Sequence, residues 1–503
     1  MRSEKYQSKD ERRKTMTKKR KTRTIPISKP ETHLLKIVLA VALGVVITSS
    51  IPARAQVPPG ATEVRPTDSL ATIQAAVDGG GVVYFHPGTY NWTGILNVNN
   101  SVELTGPKPA GNFNTEIGID NRVWDAKITK SPTGIWDTMD SIIKINCHSN
   151  TENVIISNLG TECLSLGMCI LLQGGGNSVK ITNCRIKTVD DGFGFVSWQA
   201  GDVSIVIKDC YFEAGTTGFL YPDGTAPDTD CIVFGMSSHA SIEVKNNIAV
   251  NLCDITNTST VVEVAWNQDP NTQVTISNNW LKSSGIGITV FYYDSACSVG
   301  TVSHNTMVGN MHFAHYENKG SGGTIESNRF QCSGAGMASL YTKDSADVIV
   351  QGNTFTGSVM TAGIMLDGYS SGYVFVGNDL SGLSAGTAQI LVQSECQDNL
   401  FTRNVIGFLD PEALAGIHCS GDNNDFVRND YTLSGIPGLT IGDIPCVWLA
   451  NSYDPDTGDL TAEPENNLVF EADSLPLGTI LSEQVLDDPH ELTGNTTNIV
   501  VGH

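Results

Sequence analysis

Short strings with one shared pattern of apolar and polar positions recur along the middle of the chain. Each string holds an apolar residue, an Asn or Cys three positions later, and an apolar or small residue two positions beyond, as in ITNCRI, ISNNWL and VQGNTF. These Asn or Cys anchors lie 23 to 37 residues apart, and most intervals are near 25. A period in the twenties indicates stacked supersecondary units. The anchors are Cys184, Cys210, Asn247, Asn279, Asn305, Asn328, Asn353, Asn378, Asn404 and Asn429.

The local pattern around the anchors predicts strands. Apolar residues alternate with polar ones, as at Val179 and Ile181 or Val348 and Val350, and this period of two is typical of a half-buried strand. Glycines punctuate each unit, and no helical stretch of ten residues fits between anchors. We therefore predict an all-β chain that forms a parallel β-helix over residues 154–433. The anchor amides would stack inward in adjacent coils and satisfy buried turn groups and one another.

All twelve cysteines follow residue 55. An even number in an exported chain permits disulfides, but the spacings match no small disulfide scaffold, and the absence of a CxxC pair argues against a zinc ribbon. Some of these cysteines are expected to be buried small apolar residues. Cys184 and Cys210 stand at equivalent places one coil apart, and the spacing of strands is compatible with a disulfide between them.

A different module precedes the repeats. Residues 69–78 (SLATIQAAVD) predict one short amphipathic helix, which is followed by three glycines, the apolar run 82–85 and the turn PGTY at 87–90. A solenoid needs its open end covered, since a bare coil exposes core and unpaired strand. We expect the helix to cap the first coil.

The segment TIQAAVDGGGVVYFHPGTY resembles the opening of right-handed parallel β-helix proteins of the pectin lyase-like superfamily. The resemblance extends through the coils with N-x-apolar anchors, over about residues 60–435. It implies a single-stranded right-handed β-helix with a capping helix. The superfamily includes polysaccharide lyases, glycoside hydrolases, uronate epimerases, phage tailspikes and non-catalytic surface proteins, so the fold alone does not select an activity.

Charge is distributed unevenly along the chain. The net charge is −22, yet 14 of the 31 basic residues precede residue 56, which leaves 17 basic and 49 acidic residues after it. That balance argues against a nucleic-acid partner, because such proteins depend on clustered Lys and Arg. Spare carboxylates make Ca²⁺ a possible cofactor, although the sequence defines no metal site.

The N-terminus has the pattern of a secretory signal. A polar, basic stretch precedes the apolar run 37–47, and Ala53-Arg54-Ala55 forms a small-x-small cleavage site. We predict a signal peptide at 1–55, a β-helix domain at 56–435 and an acidic C-terminal segment at 436–503 that partly caps the last coil. The mature protein would be secreted, periplasmic or at the cell surface, without a membrane span. An uncleaved anchor is the alternative, although the apolar run is short for a span.

Polar and aromatic residues concentrate 12 to 16 positions after successive anchors. Residues at equal offsets stack on one face of a solenoid, about 4.8 Å apart, and aromatic rings with charged groups suit a sugar chain lying along the coils. We call these positions the outer ladder and predict a polysaccharide as its partner. Its predicted catalytic residues are Tyr293, Glu317, Lys319, Lys343 and Asp367, and its predicted substrate-binding residues are Trp198, Asp294, Tyr341, Gln393 and His418.

The residue types of the outer ladder favour a lyase that acts on uronate-containing glycans. Elimination needs a base for the C5 proton, which Lys319 or Lys343 would supply, and a group to neutralise the carboxylate. Ca²⁺ held by Asp294 and Asp367 would serve for the latter, while Tyr293 or Tyr341 would donate to the leaving oxygen. We expect His312 and His315, just before the ladder, to be structural.

Two alternatives remain open at this point. Hydrolysis needs two carboxyl groups, either about 5–5.5 Å or about 6.5–9.5 Å apart. Asp344 with Asp367 suits the first distance, and Glu317 with Asp367 the second. The other alternative is a non-catalytic carbohydrate-binding or adhesion protein. The adjacent carboxylates Asp190 and Asp191 lie in a Gly-flanked turn, where turn chemistry is the favoured interpretation.

Overall fold

The structure is a computed structural model, and it describes residues 56–130, 141–146, 152–164, 167–174, 177–197, 202–215, 229–236, 239–253, 259–265, 272–291, 300–316, 322–334, 336–410, 413–433, 446–453, 460–462, 464–465, 467–470 and 480–482. Nearly all regular structure in these residues is short parallel strand. The chain passes repeatedly through three stacks of strands, here named A, B and C in the order in which each coil visits them. This is the right-handed parallel β-helix that the repeat and the resemblance predicted.

Stack A consists of fifteen described strands in strictly sequential order. Its members are Thr62–Val64, Gly81–Phe85, Val102–Thr105, Glu152–Ser157, Asn177–Thr182, Val203–Lys208, Ala240–Lys245, Gln273–Ser277, Thr301–Ser303, Thr324–Glu326, Ile349–Gln351, Val374–Val376, Leu400–Thr402, Asp425–Val427 and Leu468–Phe470.

Stacks B and C are joined at two long strands, Trp280–Phe291 and Thr306–Tyr316, each of which runs from one stack into the other. The other strands of stack B are Gly88–Trp92, Ala126–Lys130, Gly160–Cys163, Arg185–Thr188, Tyr211–Ala214, Ile248–Asn251, Arg329–Ser333, Thr354–Val359, Asp379–Ala385, Val405–Phe408 and Asp430–Leu433. Those of stack C are Leu96–Val98, Ser141–Ile145, Met168–Gln173, Phe193–Ser197, Ile232–Met236, Thr260–Ala265, Ala338–Lys343, Ala362–Asp367, Ala388–Val392, Ala415–Cys419, Val447–Leu449 and Ile480–Ser482.

Helix α1 (Leu70–Asp78) confirms the predicted N-terminal helix. Ser69 caps it, since the Thr72 amide donates to the Ser69 hydroxyl at 3.2 Å. Ile73 and Val77 are fully buried against the core. Gln74 exchanges two hydrogen bonds with the backbone of Asn97 in the first strand of stack C. The helix is thereby fastened to the first coil, as a cap requires.

The predicted anchors point inward and form a continuous hydrogen-bonded stack. The Asn353 amide N–H donates to Oδ1 of Asn378 at 3.0 Å, and its side-chain Nδ2 donates to the same oxygen at 2.9 Å. Nδ2 of Asn353 also donates to the carbonyl of Ile325. The same arrangement repeats from Asn247 to Asn404 and ends at Asn429, and all these asparagines are buried. The predicted contact between Asn353 and Asn378 is confirmed.

A sharp turn precedes each anchor and explains why the side chain points inward. The residue before the anchor has a left-handed backbone, with φ of 52° at Asn183, 55° at Asn278 and 56° at His304. This one-residue bend turns the chain from stack A to stack B and places the next side chain in the interior. The amide of each anchor then binds the next coil, which satisfies a buried donor.

The disulfide that the strand spacing would permit between Cys184 and Cys210 is not formed, because both cysteines are free thiols. Each thiol instead donates to backbone carbonyls, as Cys210 does to Ile181 and Lys208. The Cys184 amide donates to Cys210 Sγ at 3.4 Å, so the sulfur takes the place of an asparagine oxygen. All ten cysteines within the described residues are buried, as expected for small apolar residues.

Strands beyond residue 435 join the same stacks. Val447–Leu449 pairs with stack C at Ile417, and Leu468–Phe470 pairs with Asp425–Val427 of stack A. The solenoid therefore continues past the predicted boundary at residue 435. Leu468–Phe470 forms the last described strand of stack A. Two antiparallel hairpins, Phe113–Asn114 with Ile119–Asp120 and Ser452–Tyr453 with Leu460–Ala462, lie outside the stacks. Among the described residues, no helix has the length and hydropathy to cross a membrane.

Candidate functional site

The outward face of stack C brings half of the predicted outer ladder together. Lys343 and Asp367 are direct register partners on adjacent strands. Gln393 follows in the next coil, where its backbone N–H donates to the carbonyl of Leu366. Tyr341 and His418 lie on a parallel row of the same face. The other predicted site residues, Trp198, Tyr293, Asp294, Glu317 and Lys319, lie outside the described residues.

Tyr341 and Asp367 form the best-defined contact of this face. The Tyr341 hydroxyl donates to Oδ2 of Asp367 at 2.6 Å, a short distance typical of a charge-assisted bond. The amide of Gly368 donates to the other carboxylate oxygen at 2.8 Å. Ser370 adds a bond from its hydroxyl to the Asp367 carbonyl. The carboxylate is therefore held in one orientation by donors on two coils.

The ring of Tyr341 is covered, with only 6% of the residue exposed. It packs in a small apolar cluster that is separate from the interior of the solenoid and includes Ala338, Ala362, Met365 and Leu391. A covered ring offers no face on which a sugar can stack. The geometry therefore gives Tyr341 a different task from the predicted one, which is to position Asp367.

Lys343 stands beside this fixed carboxylate and is partly exposed. Within the described part of the chain, Lys343 makes no ion pair shorter than 4.0 Å. Its ammonium group is thus available on a face that already carries a fixed carboxylate. Such a pair can bind a carboxylate-bearing ligand at the cation while the neighbouring acid orients hydroxyl groups.

Asp344, the second acid considered for hydrolysis, points towards the adjacent turn. Its Oδ1 accepts from the amide of Tyr369 at 2.9 Å, and Gly368 approaches it so closely that a Cβ atom there would lie 2.3 Å from this oxygen. Gly368 has φ of 57°, so glycine serves both the backbone conformation and the close approach. The Asp344 carboxylate therefore has a structural partner in this turn.

His418 lies at the far end of the row and contacts an aromatic residue that the sequence reasoning missed. Its ring packs edge-on against Trp448, with centroids 4.9 Å apart. The two residues are register partners on adjacent strands. No Asn anchor precedes Trp448 at the usual offset, so the repeat gave no signal for it.

The described residues contain no group of three His, Cys, Asp or Glu side chains arranged to hold a metal ion. The two oxygens of Asp367 already accept from Tyr341 and Gly368. Asp294, its predicted partner for Ca²⁺, lies outside the described residues. The Ca²⁺ site therefore stays a prediction.

The adjacent acids Asp190 and Asp191 serve the backbone, as turn chemistry predicts. Asp190 is 4% exposed and accepts from the amide of Gly167 at 2.9 Å. Asp191 accepts from the amide of Asp230 in the next coil at 2.9 Å. Asp230 in turn accepts from both the amide and the hydroxyl of Thr260. These carboxylates stack along the turn between stacks B and C.

Comparison with known proteins agrees with this fold. The family model described as a right handed beta helix region matches residues 264–431. No curated protein matches the chain in sequence. A mutant tailspike protein of E. coli bacteriophage HK620, solved in complex with a pentasaccharide, is 12% identical, with a TM-score of 0.52 over 86% of this chain and 77% of the tailspike chain.

Two further structures are similar at lower scores. The A-module of the Azotobacter vinelandii mannuronan C-5 epimerase AlgE6 is 14% identical, with a TM-score of 0.38 over 80% of this chain and 95% of the module. A PL6 alginate lyase in complex with a trisaccharide is 11% identical, with a TM-score of 0.42 over 87% of this chain and 98% of the lyase. With its stacked coils, inward asparagines and N-terminal helix, the chain has the fold of a right-handed parallel β-helix.

Proposed function

We propose that this protein is a secreted polysaccharide lyase that acts on uronate-containing glycans along the outward face of stack C. The observation that carries the proposal is the arrangement of Lys343, Asp367 and Tyr341 on adjacent strands, with the carboxylate fixed and the ammonium group available. The tailspike of the same fold, solved with a pentasaccharide, supports a saccharide as the ligand.

Each residue has a role that follows from its position. Lys343 pairs with the carboxylate of the uronate and stabilises the negative charge that develops there when the C5 proton leaves. Asp367, fixed by Tyr341, accepts hydrogen bonds from sugar hydroxyls and orients the ring. Gln393, one coil further, contacts the next sugar residue.

Elimination itself needs a base and an acid. The base removes the C5 proton, the C4–C5 double bond forms, and the C4–O bond breaks as the leaving oxygen takes a proton. We assign the base to Lys319 and the proton donor to Tyr293, which the repeat offsets assign to the coils before Lys343. These two roles rest on the sequence alone.

A panel of pectate, pectin, alginate and neutral glucans tests the proposal, with and without Ca²⁺. We expect an ultraviolet-absorbing unsaturated product from at least one uronate glycan and none from neutral glucans. Lys343→Ala should lower kcat/KM at least 100-fold, which corresponds to about 2.7 kcal/mol of transition-state stabilisation. Lys282→Ala, which removes an exposed lysine from stack B, should leave kcat/KM unchanged.

Other outcomes would contradict the lyase and select an alternative. New reducing ends without unsaturation would indicate hydrolysis, and Asp344→Asn and Asp367→Asn would then be the damaging variants. Binding without turnover of any glycan would indicate a carbohydrate-binding or adhesion protein.

Export is a separate part of the proposal, motivated by the basic, apolar and small-x-small segments of residues 1–55. N-terminal sequencing of the exported protein should begin at Gln56 or within a few residues of it. Recovery of an intact N-terminus in a membrane fraction would instead show an anchor.

A further inference from the structure

A cleft of about 240 Å³ opens on the outward face of stack B, close to the N-terminal end of the solenoid. Stack B is a different face from that of Lys343 and Asp367. Basic residues are scarce after residue 55, with 17 against 49 acidic ones, yet four of them line this one cleft. The basic lining residues are Arg122, Lys127, Arg185 and Lys187.

A glycine interrupts the row of long side chains that lines this cleft. Lys127, Gly160 and Arg185 are register partners on three successive strands. Lys127 and Arg185 are therefore two strand spacings, or about 10 Å, apart. Gly160 carries no side chain between them, and Cβ of Trp124 lies 3.3 Å from the position that a Cβ atom of Gly160 would take.

Arg185 is the cation best placed to bind a ligand in this cleft. It is exposed, and its guanidinium carbon lies 6.0 Å from the ring centroid of Trp124 and 5.3 Å from that of Tyr211. Two aromatic rings thus restrain the guanidinium group, as cation–π contacts do. Among the described residues, Arg185 has no carboxylate partner within 4.0 Å. Its planar fork of donors matches the geometry of a carboxylate.

The wall beside Arg185 is rigid. Nε1 of Trp124 donates to the carbonyl of Asn183 at 3.1 Å. Arg122 is buried and forms a bidentate salt bridge with Asp120, in which each of the two hydrogen bonds is 2.9 Å long. Arg122 also donates to the carbonyl of Asp209. These bonds tie the segment that follows the Phe113–Asn114 hairpin to two turns of the solenoid.

The two lysines of the cleft are already paired. Lys127 contacts Glu162, and Nζ of Lys187 lies 2.7 Å from Glu213. Paired lysines and glutamates present both donors and acceptors at fixed positions, which suits sugar hydroxyl groups. One unpaired cation among neutralised pairs favours a ligand with a single negative charge.

We propose that this cleft binds one uronate residue of an acidic glycan, with the carboxylate on Arg185 and the sugar hydroxyls on the Lys127–Glu162 and Lys187–Glu213 pairs. The volume lies below the range of about 300–1,000 Å³ that is usual for drug-sized ligands, so one sugar residue fits rather than a folded chain. The inference shares the acidic glycan with the proposed function but needs no turnover. It defines a second binding site, on stack B, which would bind the polymer at a different place from the site on stack C.

Binding of hexagalacturonate and of its methyl ester by the full chain tests this site. The ester keeps the sugar backbone and removes the charge. The measurement uses a Lys343→Ala background, which lowers any cleavage at stack C. We expect hexagalacturonate to bind and to quench the fluorescence of Trp124, while the ester binds at least tenfold more weakly. Arg185→Ala should weaken hexagalacturonate binding at least tenfold, and Arg185→Lys should restore only part of it, because a point charge replaces the fork.

Arg403→Ala is the matched control, since it removes the same charge from an exposed turn far along the solenoid. Its affinity for hexagalacturonate should equal that of the background. Equal binding by Arg185→Ala, or equal binding of acid and ester, would overturn the assignment. Absence of unsaturated product in the activity panel, with Arg185-dependent binding intact, would contradict the lyase and leave this site standing.

Discussion

The inward and outward positions of the coils differ in how strictly they repeat. At the inward turn position, asparagine recurs in coil after coil from Asn247 to Asn429. On the outward face of stack C, four successive register partners are Tyr341, Met365, Leu391 and His418, which share no chemistry. Inward residues must satisfy backbone groups that every coil presents in the same way. Outward residues face no such demand, so that face is free to acquire a site.

Removing one inward side-chain amide tests this difference between inward and outward positions most strongly. Asn328 accepts from the amide and from Nδ2 of Asn305, and it donates to the carbonyl of Val302. Asn328→Ala removes these three hydrogen bonds, and each buried polar group left unsatisfied costs about 1–3 kcal/mol. We expect the free energy of unfolding to fall by about 3 kcal/mol or more in urea denaturation.

Asn91→Ala is the control for that variant, because Asn91 is exposed on the outward side of its strand in stack B. Its free energy of unfolding should stay within about 0.5 kcal/mol of the wild type. Equal loss in the two variants would show that the inward stack has no special role in stability.

The contrast between the two positions also explains what the sequence could predict. The repeat and its anchors are visible because the same backbone demand recurs, and the stack was predicted residue by residue. A second inward stack was missed, although it follows the same rule. It runs from the amide of Tyr373 through Asn399 and Asn424 to Asn467, and its first position is a tyrosine while its last lies past a 43-residue interval.

Site geometry was predictable only where it follows from the repeat. Lys343 and Asp367 lie 15 and 14 residues after their anchors, and these similar offsets agree with their places side by side on adjacent strands. The offsets gave no hint that the Tyr341 ring is covered, since cover depends on neighbours from other coils. The cleft around Arg185 was missed for a related reason. Its wall, Trp124, comes from the segment inserted between the first coils, and sequence spacing does not show where that segment packs.

Inward thiols offer a test that depends on pH. Burial raises the pKa of Cys332 to about 11, whereas a thiol in an unfolded chain ionises near 8.5. Above about pH 8.5 the unfolded state releases a proton that the folded state keeps, so stability falls as pH rises towards 11. Through this one thiol, the free energy of unfolding should be about 2 kcal/mol lower at pH 10 than at pH 7.

Urea denaturation at pH 7 and pH 10 measures that cost, with Cys332→Ala as the comparison. Cys332→Ala should have a lower free energy of unfolding than the wild type at both pH values. Its loss of free energy between pH 7 and pH 10 should be about 2 kcal/mol smaller than that of the wild type. Rapid reaction of native Cys332 with a thiol reagent at pH 8 would contradict its inward placement.

Outward residues should act on function with little effect on stability. Tyr341→Phe keeps the covered ring and removes the hydroxyl that holds Asp367. If the face of stack C is the active site, we expect kcat to fall about tenfold, or about 1.4 kcal/mol, with a smaller change in KM.

Tyr369→Phe is the matched control, since Tyr369 is 70% exposed and lies in the turn after Asp367. Its kcat should equal that of the wild type. An unchanged kcat in Tyr341→Phe would mean that the bond to Asp367 has no part in the reaction.

The smallest effect is expected where the inward stack changes from asparagine to cysteine. The Cys184 amide reaches Cys210 Sγ at 3.4 Å, and Cys210 reaches the carbonyl of Ile181 at 3.6 Å. In the next coil, Asn247 makes the equivalent bond from Nδ2 to the Ile207 carbonyl at 3.0 Å. Cys210→Asn should extend the asparagine stack by one coil and keep the free energy of unfolding within about 1 kcal/mol of the wild type. Cys210→Ala, which only removes the sulfur, should lower that free energy. If Cys210→Asn destabilised the fold as much as Cys210→Ala, the cysteine would be required by packing in its coil rather than standing in for an asparagine.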